Sequence, residues 1–548
     1  MKKRTLVVIF SVSCVYLSLL IGKSDAARQP NIIVIVADDL GWHDVSFHGS
    51  DQIPTPNLDA LAYYGVILQR HYVLPTCTPS RTAFLTGRYP IRAGMQGYPL
   101  KAAEPRGIPL ENPLLPEYLQ ELGYTTHLLG KWHVGYYTNH HTPAHRGFDS
   151  FFGYYNGYIQ FYNHTVRQDN ITGNDLHNDV PEDLSATYEE GYFTDLLSEK
   201  AETIIASHDK KNPLYLQVSH LAPHSTDAVD PMEVRDPAQV NATFDYIEDV
   251  NRRKFADMVT ALDESVGRVV DALWKAEMLE NSIILFMSDN GAQTEGFLEN
   301  FGSNYPLRGL KFTLFEGGVR GAACIYSPLI KKSSRVSDQL LHVTDWLPTF
   351  YSAAGGDPDD LLFLDGVDQW SALRRARKSN RKELLLNIDE VTGNSAAISG
   401  RYKLIKGASK VYEAYYGNFT QSRSNVPPDF SKSPAGIAIE SISRRKLRPT
   451  KAHWLRESAT VRCNTTPDFP KCYDHCLFDV INDPCETNDL SSVYPKVVAE
   501  LDAFIEHYRK QLMPQTNAPV DPAGYPEHFN GTWMPWRKCE VLPSISTV

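Results

Sequence analysis

Four apolar runs, each closed by polar residues, punctuate the chain between residues 31 and 288. Asn31-Ile32-Ile33-Val34-Ile35-Val36-Ala37 is a continuous β-branched run, the pattern of a strand buried on both faces. Residues Thr125–Leu129, Pro213–Ser219 and Ser282–Ser288 predict three more strands. Helical patterns alternate with them. Thr55–Leu68 places Leu58, Leu61, Ala62 and Leu68 near one face, and Leu115–Leu122 is stopped by Gly123. Phe255–Leu279 repeats Met258, Leu262, Val266, Val269 and Leu273 at spacings of three and four, a long amphipathic helix. Strands alternating with helices predict an α/β fold, a doubly wound and mostly parallel sheet.

Around residues 355–380 the texture changes. Gly355-Gly356-Asp357-Pro358 and the basic run Arg374-Arg375-Ala376-Arg377-Lys378 read as exposed connections. Shorter strand candidates come next at Glu383–Ile388 and Ala397–Lys406, then a polar, Cys-rich stretch. The organisation this predicts is a large domain over 27–375 and a smaller C-terminal α+β domain over 376–548, with 415–460 as a surface insertion.

The residues just past each apolar strand carry the chemistry. The first strand ends in Asp38-Asp39, and the second runs into Gly130-Lys131-Trp132-His133. The third ends at His220, with His224 close behind, and the fourth at Asp289-Asn290-Gly291. Taken singly these have plain structural readings: a helix cap, a turn, a satisfied core histidine. In open parallel sheets, however, ligands bind outside the carboxyl ends of the strands, and here four such ends are polar together. Asp38, Asp39, Asp289 and Asn290 are hard oxygen donors, which suit Ca²⁺ or Mg²⁺ better than Zn²⁺. Lys131 and His133, two apart in an extended segment, share a face. A hard cation with a lysine and a histidine describes an anion pocket.

Composition adds the compartment. Lys2, Lys3 and Arg4 precede an apolar run from Leu6 to Ile21 and small residues near Ala26, the pattern of a secretory signal peptide over 1–26; an uncleaved anchor is the other reading. No later stretch is apolar enough to span a membrane. Cys463, Cys472, Cys476, Cys485 and Cys539 crowd the C-terminal region, as disulfide-forming cysteines of an exported chain would; their pairing is open. Six N-x-[ST] acceptors lie at Asn163, Asn170, Asn241, Asn418, Asn464 and Asn530. A formal charge of −11 argues against nucleic-acid binding. The 18 histidines would offset it in an acidic compartment.

Cys77-Thr78-Pro79-Ser80-Arg81, with Thr86-Gly87-Arg88 beyond it, resembles the signature of the type I sulfatases. So do Ala37–Trp42, Gly130–His133, Ser288–Gly291, Pro306–Lys311, Glu316–Arg320 and Leu477–Asp479, in the right order. Within that family the chain looks closest to the N-acetylgalactosamine-4-sulfatase (arylsulfatase B) branch, on Gly41–Ser50 and Gly123–His127, although cysteines which that branch carries near 97–104 are absent. The resemblance implies an alkaline-phosphatase-like fold and a Cys77 oxidised to formylglycine by the formylglycine-generating enzyme. One hydroxyl of the hydrated aldehyde would attack sulfur, and the second would later expel sulfate. It also implies one Ca²⁺ held by Asp38, Asp39, Asp289, Asn290 and residue 77. Arg81 would hold the hydrate, His133 take its second proton, Lys131 and Lys311 bind sulfate oxygens, and His220 protonate or orient the leaving oxygen. The expected substrate is a sulfated glycan or aryl sulfate, and the expected location the lysosome, with secretion as the alternative. A formylglycine-dependent phosphonate or phosphodiester hydrolase, or a non-catalytic glycan-binding homologue, are the rival readings.

Overall fold

A computed structural model describes residues 28–408, 411–419, 429–443, 446–465 and 468–538. The signal-peptide reading of 1–26 and Cys539 lie outside the described residues. Among those described, no helix is long and apolar enough to cross a membrane.

The main sheet has nine strands: β1 (Asn31–Ala37), β2 (Val66–Leu68), β3 (Thr125–Lys131), β4 (Ser150–Tyr154), β5 (His177–Asp179), β6 (Leu214–Ser219), β7 (Ser282–Ser288), β8 (Ala323–Tyr326) and β9 (Arg335–Ser337), in the order β9-β2-β8-β7-β1-β6-β3-β4-β5. The five central strands β7-β1-β6-β3-β4 are parallel; β8 is antiparallel to its neighbours and β5 to β4. Every residue of β1, β6 and β7 is buried, because helices cover both faces and leave the central strands no solvated side. One helical layer holds α1 (Pro56–Tyr64), α4 (Phe193–Ser207) and α5 (Val250–Lys275). The other holds α2 (Cys77–Thr86), α3 (Leu115–Glu121) and α6 (Trp346–Ala353), and the short helix α7 (Trp370–Arg375) packs on α6. Asp249 caps α5 by accepting from the Arg252 N–H, which starts the helix five residues earlier than the apolar spacing indicated.

The helix expected over 55–68 stops at Tyr64, and Val66-Ile67-Leu68 become β2. Gly65 makes the change of direction possible: a Cβ there would lie 2.2 Å from the Ile325 carbonyl oxygen, so only glycine lets the two backbones approach. The strand expected over 397–406 is a hairpin, broken at Gly400, whose φ is 59°.

A second sheet is antiparallel, with strands β10 (Glu383–Ile388), β11 (Ser395–Ser399), β12 (Tyr402–Lys406) and β13 (His475–Asp479) in that order, and α10 (Pro495–Arg509) packs on it. Disulfide Cys472–Cys476 ties the start of β13 to the chain before it, and Cys463–Cys485 joins the segments on either side of the strand. The segment read as a surface insertion instead carries α8 (Pro434–Ile442) and α9 (Pro449–Ala459). Both dock on the large unit: α8 lies against α1 and α5, with Ile439 and Leu455 fully buried. The short apolar stripes of these two helices are set among polar residues, and only the docked fold shows that they are covered.

Candidate active site

The parallel register brings the strand ends level. Ala37 stands opposite Ser288, Val36 opposite Ser219, and Gly130 opposite Ser219. Asp38-Asp39, Lys131 and Asp289-Asn290 therefore leave the sheet side by side. Asp39 and His133 both have positive φ, 61° and 57°, a conformation that costs free energy and is tolerated where packing demands it.

Ion pairs link these groups under cover. Lys131 Nζ lies 2.6 Å from Asp38 Oδ2, and Lys311 Nζ 2.7 Å from Asp39 Oδ2. Arg81 donates to Asp289 Oδ2 at 2.8 Å, and Asn290 Nδ2 donates to Asp39 Oδ1 at 2.6 Å. Burial pushes all three carboxyls up. At Asp38 and Asp39 the facing lysines and His224 outweigh it and hold both below the usual range, whereas Asp289, with Asp38 adding repulsion, stays raised. Asp38 Oδ1 and Asn290 Oδ1 are buried and accept no hydrogen bond. Two orphaned hard oxygens among three carboxylates are what a calcium-sized cation would satisfy, so the residues present fit such an ion. Asp38, Asp39 and His224 bring ligand atoms within 4.8 Å of one another; the oxygens fit a hard ion better than the imidazole does.

Cys77 opens α2, so Arg81 comes one turn later on the same face. A cavity of about 810 Å³ is lined by Cys77, His133, His224 and Lys311, with Tyr98, Tyr158 and Phe312 among its walls. Burial raises the Cys77 thiol, against the pull of Lys131 and Lys311. His133 Nε2 is 2.9 Å from the Leu100 carbonyl oxygen; burial first, then Lys131, keeps the ring well below its usual pKa.

Of the residues singled out from sequence, Asp38, Asp39, Cys77, Arg81, Lys131, His133, Asp289, Asn290 and Lys311 come together here. His220 does not. It is fully buried, its Nε2 lies 3.1 Å from Ser265 Oγ on α5, and burial holds it down to about 3. It takes no part in lining the cavity. At 220 the backbone still follows β1, its N–H donating to the Val36 carbonyl oxygen at 2.9 Å, and the ring turns to α5; His224, four residues on, faces the cavity with its Nε2 3.4 Å from both Lys311 Nζ and Asp39 Oδ2. The sequence signal for His224 is its place in Ala222-Pro223-His224, just past a buried strand.

The Sulfatase family model matches residues 30–356. The chain is 37% identical over 523 residues to arylsulfatase J of Mus musculus, covering 93% of this chain and 81% of that one. It is 31% identical over 454 residues to N-acetylgalactosamine-6-sulfatase of Homo sapiens, covering 80% and 81%. Among solved structures, Ps i-CgsB in complex with k-i-k-neocarrahexaose superposes with a TM-score of 0.70 at 26% identity, over 90% of this chain and 96% of that chain. The likeness runs across several sulfatase types and does not single out the N-acetylgalactosamine-4-sulfatase branch. Kinship on this scale, centred on the sheet that gathers the acids, lysines and cysteine, makes the chain a sulfuric ester hydrolase and a member of the sulfatase family.

Proposed function

We propose that the chain hydrolyses sulfate esters of glycosaminoglycans, of the N-acetylgalactosamine 4-sulfate type, after the formylglycine-generating enzyme has converted Cys77. The observation that carries this reading is Cys77 in one cavity with Lys311, His133 and His224, beside the carboxylate cluster. Formylglycine supplies a hydrated aldehyde, one hydroxyl to attack sulfur and another to release sulfate. Arg81, tied to Asp289, holds the residue-77 oxygens in place. Lys311, on the cavity wall, neutralises a sulfate oxygen, and Lys131 offsets negative charge developing at residue 77 from beneath. His133 Nδ1, buried without a hydrogen-bond partner, is free to take the proton of the second hydroxyl. His224, rather than His220, protonates the leaving oxygen; a bound sulfate beside it would favour its charged form. Asp38, Asp39, Asp289, Asn290 and residue 77 would hold Ca²⁺, which supplies charge to polarise the sulfate.

All six Asn acceptors are exposed, and the disulfides suit an oxidising compartment. Both support passage through the secretory route to the lysosome, with export as the alternative.

Mass spectrometry of the tryptic peptide spanning Cys77 tests the modification. Formylglycine is the expected species; intact thiol alone, with no turnover of an aryl sulfate, would sink the reading. A panel of aryl sulfate, chondroitin 4- and 6-sulfate, heparan fragments and an aryl phosphonate assigns the ester. Preference for the 6-sulfate would replace the 4-sulfate proposal, and preference for the phosphonate would replace the class.

The two histidines separate cleanly. His224→Ala is expected to lower kcat by about 10²–10⁴-fold, the usual range for a general acid. His220→Ala is expected to lower the Tm and leave kcat within about threefold. Equal losses of kcat from both would remove the assignment. Calcium chelation should cut activity at least about tenfold, with recovery on adding Ca²⁺; recovery with Zn²⁺ alone would contradict the hard-oxygen site.

A further inference from the structure

A cleft of about 970 Å³ lies elsewhere on the molecule and shares no lining residue with the active-site cavity. Its walls come from Tyr64 at the end of α1, Tyr326 at the end of β8, Ser333-Ser334 before β9, and the start of α9 with Trp454. Strand register fixes where it sits. Tyr326 pairs with Ile284, near the amino end of β7, whereas Asp289 lies just past the carboxyl end of that strand. A strand of seven residues spans roughly 20 Å, so the cleft opens at the opposite end of the sheet from the chemistry.

Its charge is unlike that of the chain. Lys446, Arg448 and Lys451 line it. The loop before β9 adds Lys331 and Lys332, both exposed, and β9 begins with Arg335. That loop is joined to the basic run after α6: Lys331 N–H donates to the Arg374 carbonyl oxygen at 2.9 Å, and Arg335 donates to that of Leu373 at 3.0 Å. Arg375, Arg377 and Lys378 stand exposed beyond it. Among the described residues, the one ion pair in this band is Lys446 with Glu440, at 3.0 Å. Asp338, next to β9, and Glu457, on α9 and paired with Arg462, are the nearest other acids in sequence to it. A protein of formal charge −11 thus keeps a continuous strip of cations, only one of them paired with a carboxylate, a surface that concentrates an anionic ligand.

We propose that the cleft and this strip are a binding site for a sulfated glycan chain, separate from the active site. The strip joins elements that pack in series, α9 against β9 and the loop before β9 against the end of α7. Trp454 is 52% exposed, and Lys451 Nζ lies 3.7 Å over its ring. That pair sets a charge over one face of a half-exposed indole, and Ser327, Ser333, Ser334 and Thr450 supply hydroxyls around it; together they suit a sugar carrying sulfate. One exposed aromatic does not make the run of stacking platforms that single-stranded nucleic acid uses. The ligand class rests on the sulfated-glycan reading above, and the site would hold the enzyme on the polymer that bears its substrate.

The test is fluorescence anisotropy of the intact protein with a labelled chondroitin 4-sulfate dodecasaccharide at physiological salt. Arg377→Glu/Arg448→Glu/Lys451→Glu is expected to weaken binding at least about tenfold and to flatten its salt dependence, with kcat/KM on an aryl sulfate unchanged. Lys210→Glu/Lys211→Glu/Lys510→Glu, an equal charge change elsewhere, should retain binding. The proposal falls if the first variant binds within about twofold of wild type, or if the control loses as much. It also falls if duplex DNA binds as tightly as the glycan. Loss of the hydrolytic reading would show instead as absent turnover with dodecasaccharide binding intact.

Discussion

Cys77→Ala is expected to abolish sulfate ester hydrolysis, with kcat falling by about 10⁴-fold or more, since the proposed nucleophile has no replacement in the cavity. The fold should survive: the change removes one buried sulfur from the first turn of α2, a loss of about 1 kcal/mol on the scale of small core truncations. Cys77→Ser sharpens the test. Serine keeps one oxygen in place but lacks the second hydroxyl that would release sulfate. The expected result is at most a single turnover and a covalently sulfated protein visible in the intact mass. Steady hydrolysis by the serine variant would show that water reaches sulfur directly and that the modification is dispensable. Residual activity above about a tenth of wild type in the alanine variant would remove Cys77 from the reaction.

The largest effect on stability is expected from Lys403→Ala. Lys403, on β12 of the small sheet, lies 2.9 Å from Glu316 Oε1 and 3.0 Å from Glu486 Oε1, and all three side chains are fully buried. Glu316 belongs to the large unit, where it also accepts from the Tyr72 hydroxyl and pairs with Arg320. Removing the lysine leaves two carboxylates facing each other without their shared cation, at a cost of about 3–5 kcal/mol. Lys403→Ala should therefore melt well below wild type, with Lys403→Arg in between; a Tm unchanged in the alanine variant would contradict the network.

The same cluster sets a pH dependence. Burial raises Glu486 to about 7 despite Lys403, and Glu316 adds to the rise. Burial also pushes Glu316 up, but there Lys403 and Arg320 win and hold it below its ordinary value. Between the ordinary glutamate range and about 7 the native state carries more protons at Glu486 than the unfolded chain does, so stability falls as pH rises through that window. Glu316 acts in the opposite sense, and only below its ordinary value. The Glu486 contribution to the melting temperature should therefore grow as pH drops below about 7, while buried histidines held below their ordinary value, His133 and His220 among them, act in the opposite sense below about 6.5; the difference between wild type and Glu486→Gln isolates the glutamate. Glu486→Gln should flatten the upper slope, and an unchanged slope would exclude this group as its source.

Much of the site was legible because most of the gathered polar groups lie at strand ends. A buried strand announces itself as an unbroken apolar run, and the polar residues just beyond it must lie at the edge of a parallel sheet. Asp38, Asp39, Lys131, His133, Asp289 and Asn290 were therefore recognisable as one group from the chain alone. Cys77, Arg81 and Lys311 are not at strand ends, and only the pentapeptide and the Pro306–Lys311 block marked them.

Local matters belong to the sequence: where apolar runs start and stop, which residue types could bind a hard cation and an anion, and the motif that names the family. Direction and long-range packing belong to the folded chain. His220 and His224 are four apart and chemically alike; which one faces Cys77 is set by how the chain turns after β6 against α5. Gly65 ends a helix because the Ile325 carbonyl comes within reach, a contact 260 residues away in sequence. The docking of α8 and α9, the Glu316–Lys403–Glu486 cluster and the cationic strip all join segments far apart along the chain. Local pattern cannot encode them, because their free energy comes from burial and charge proximity that exist only once the chain has folded.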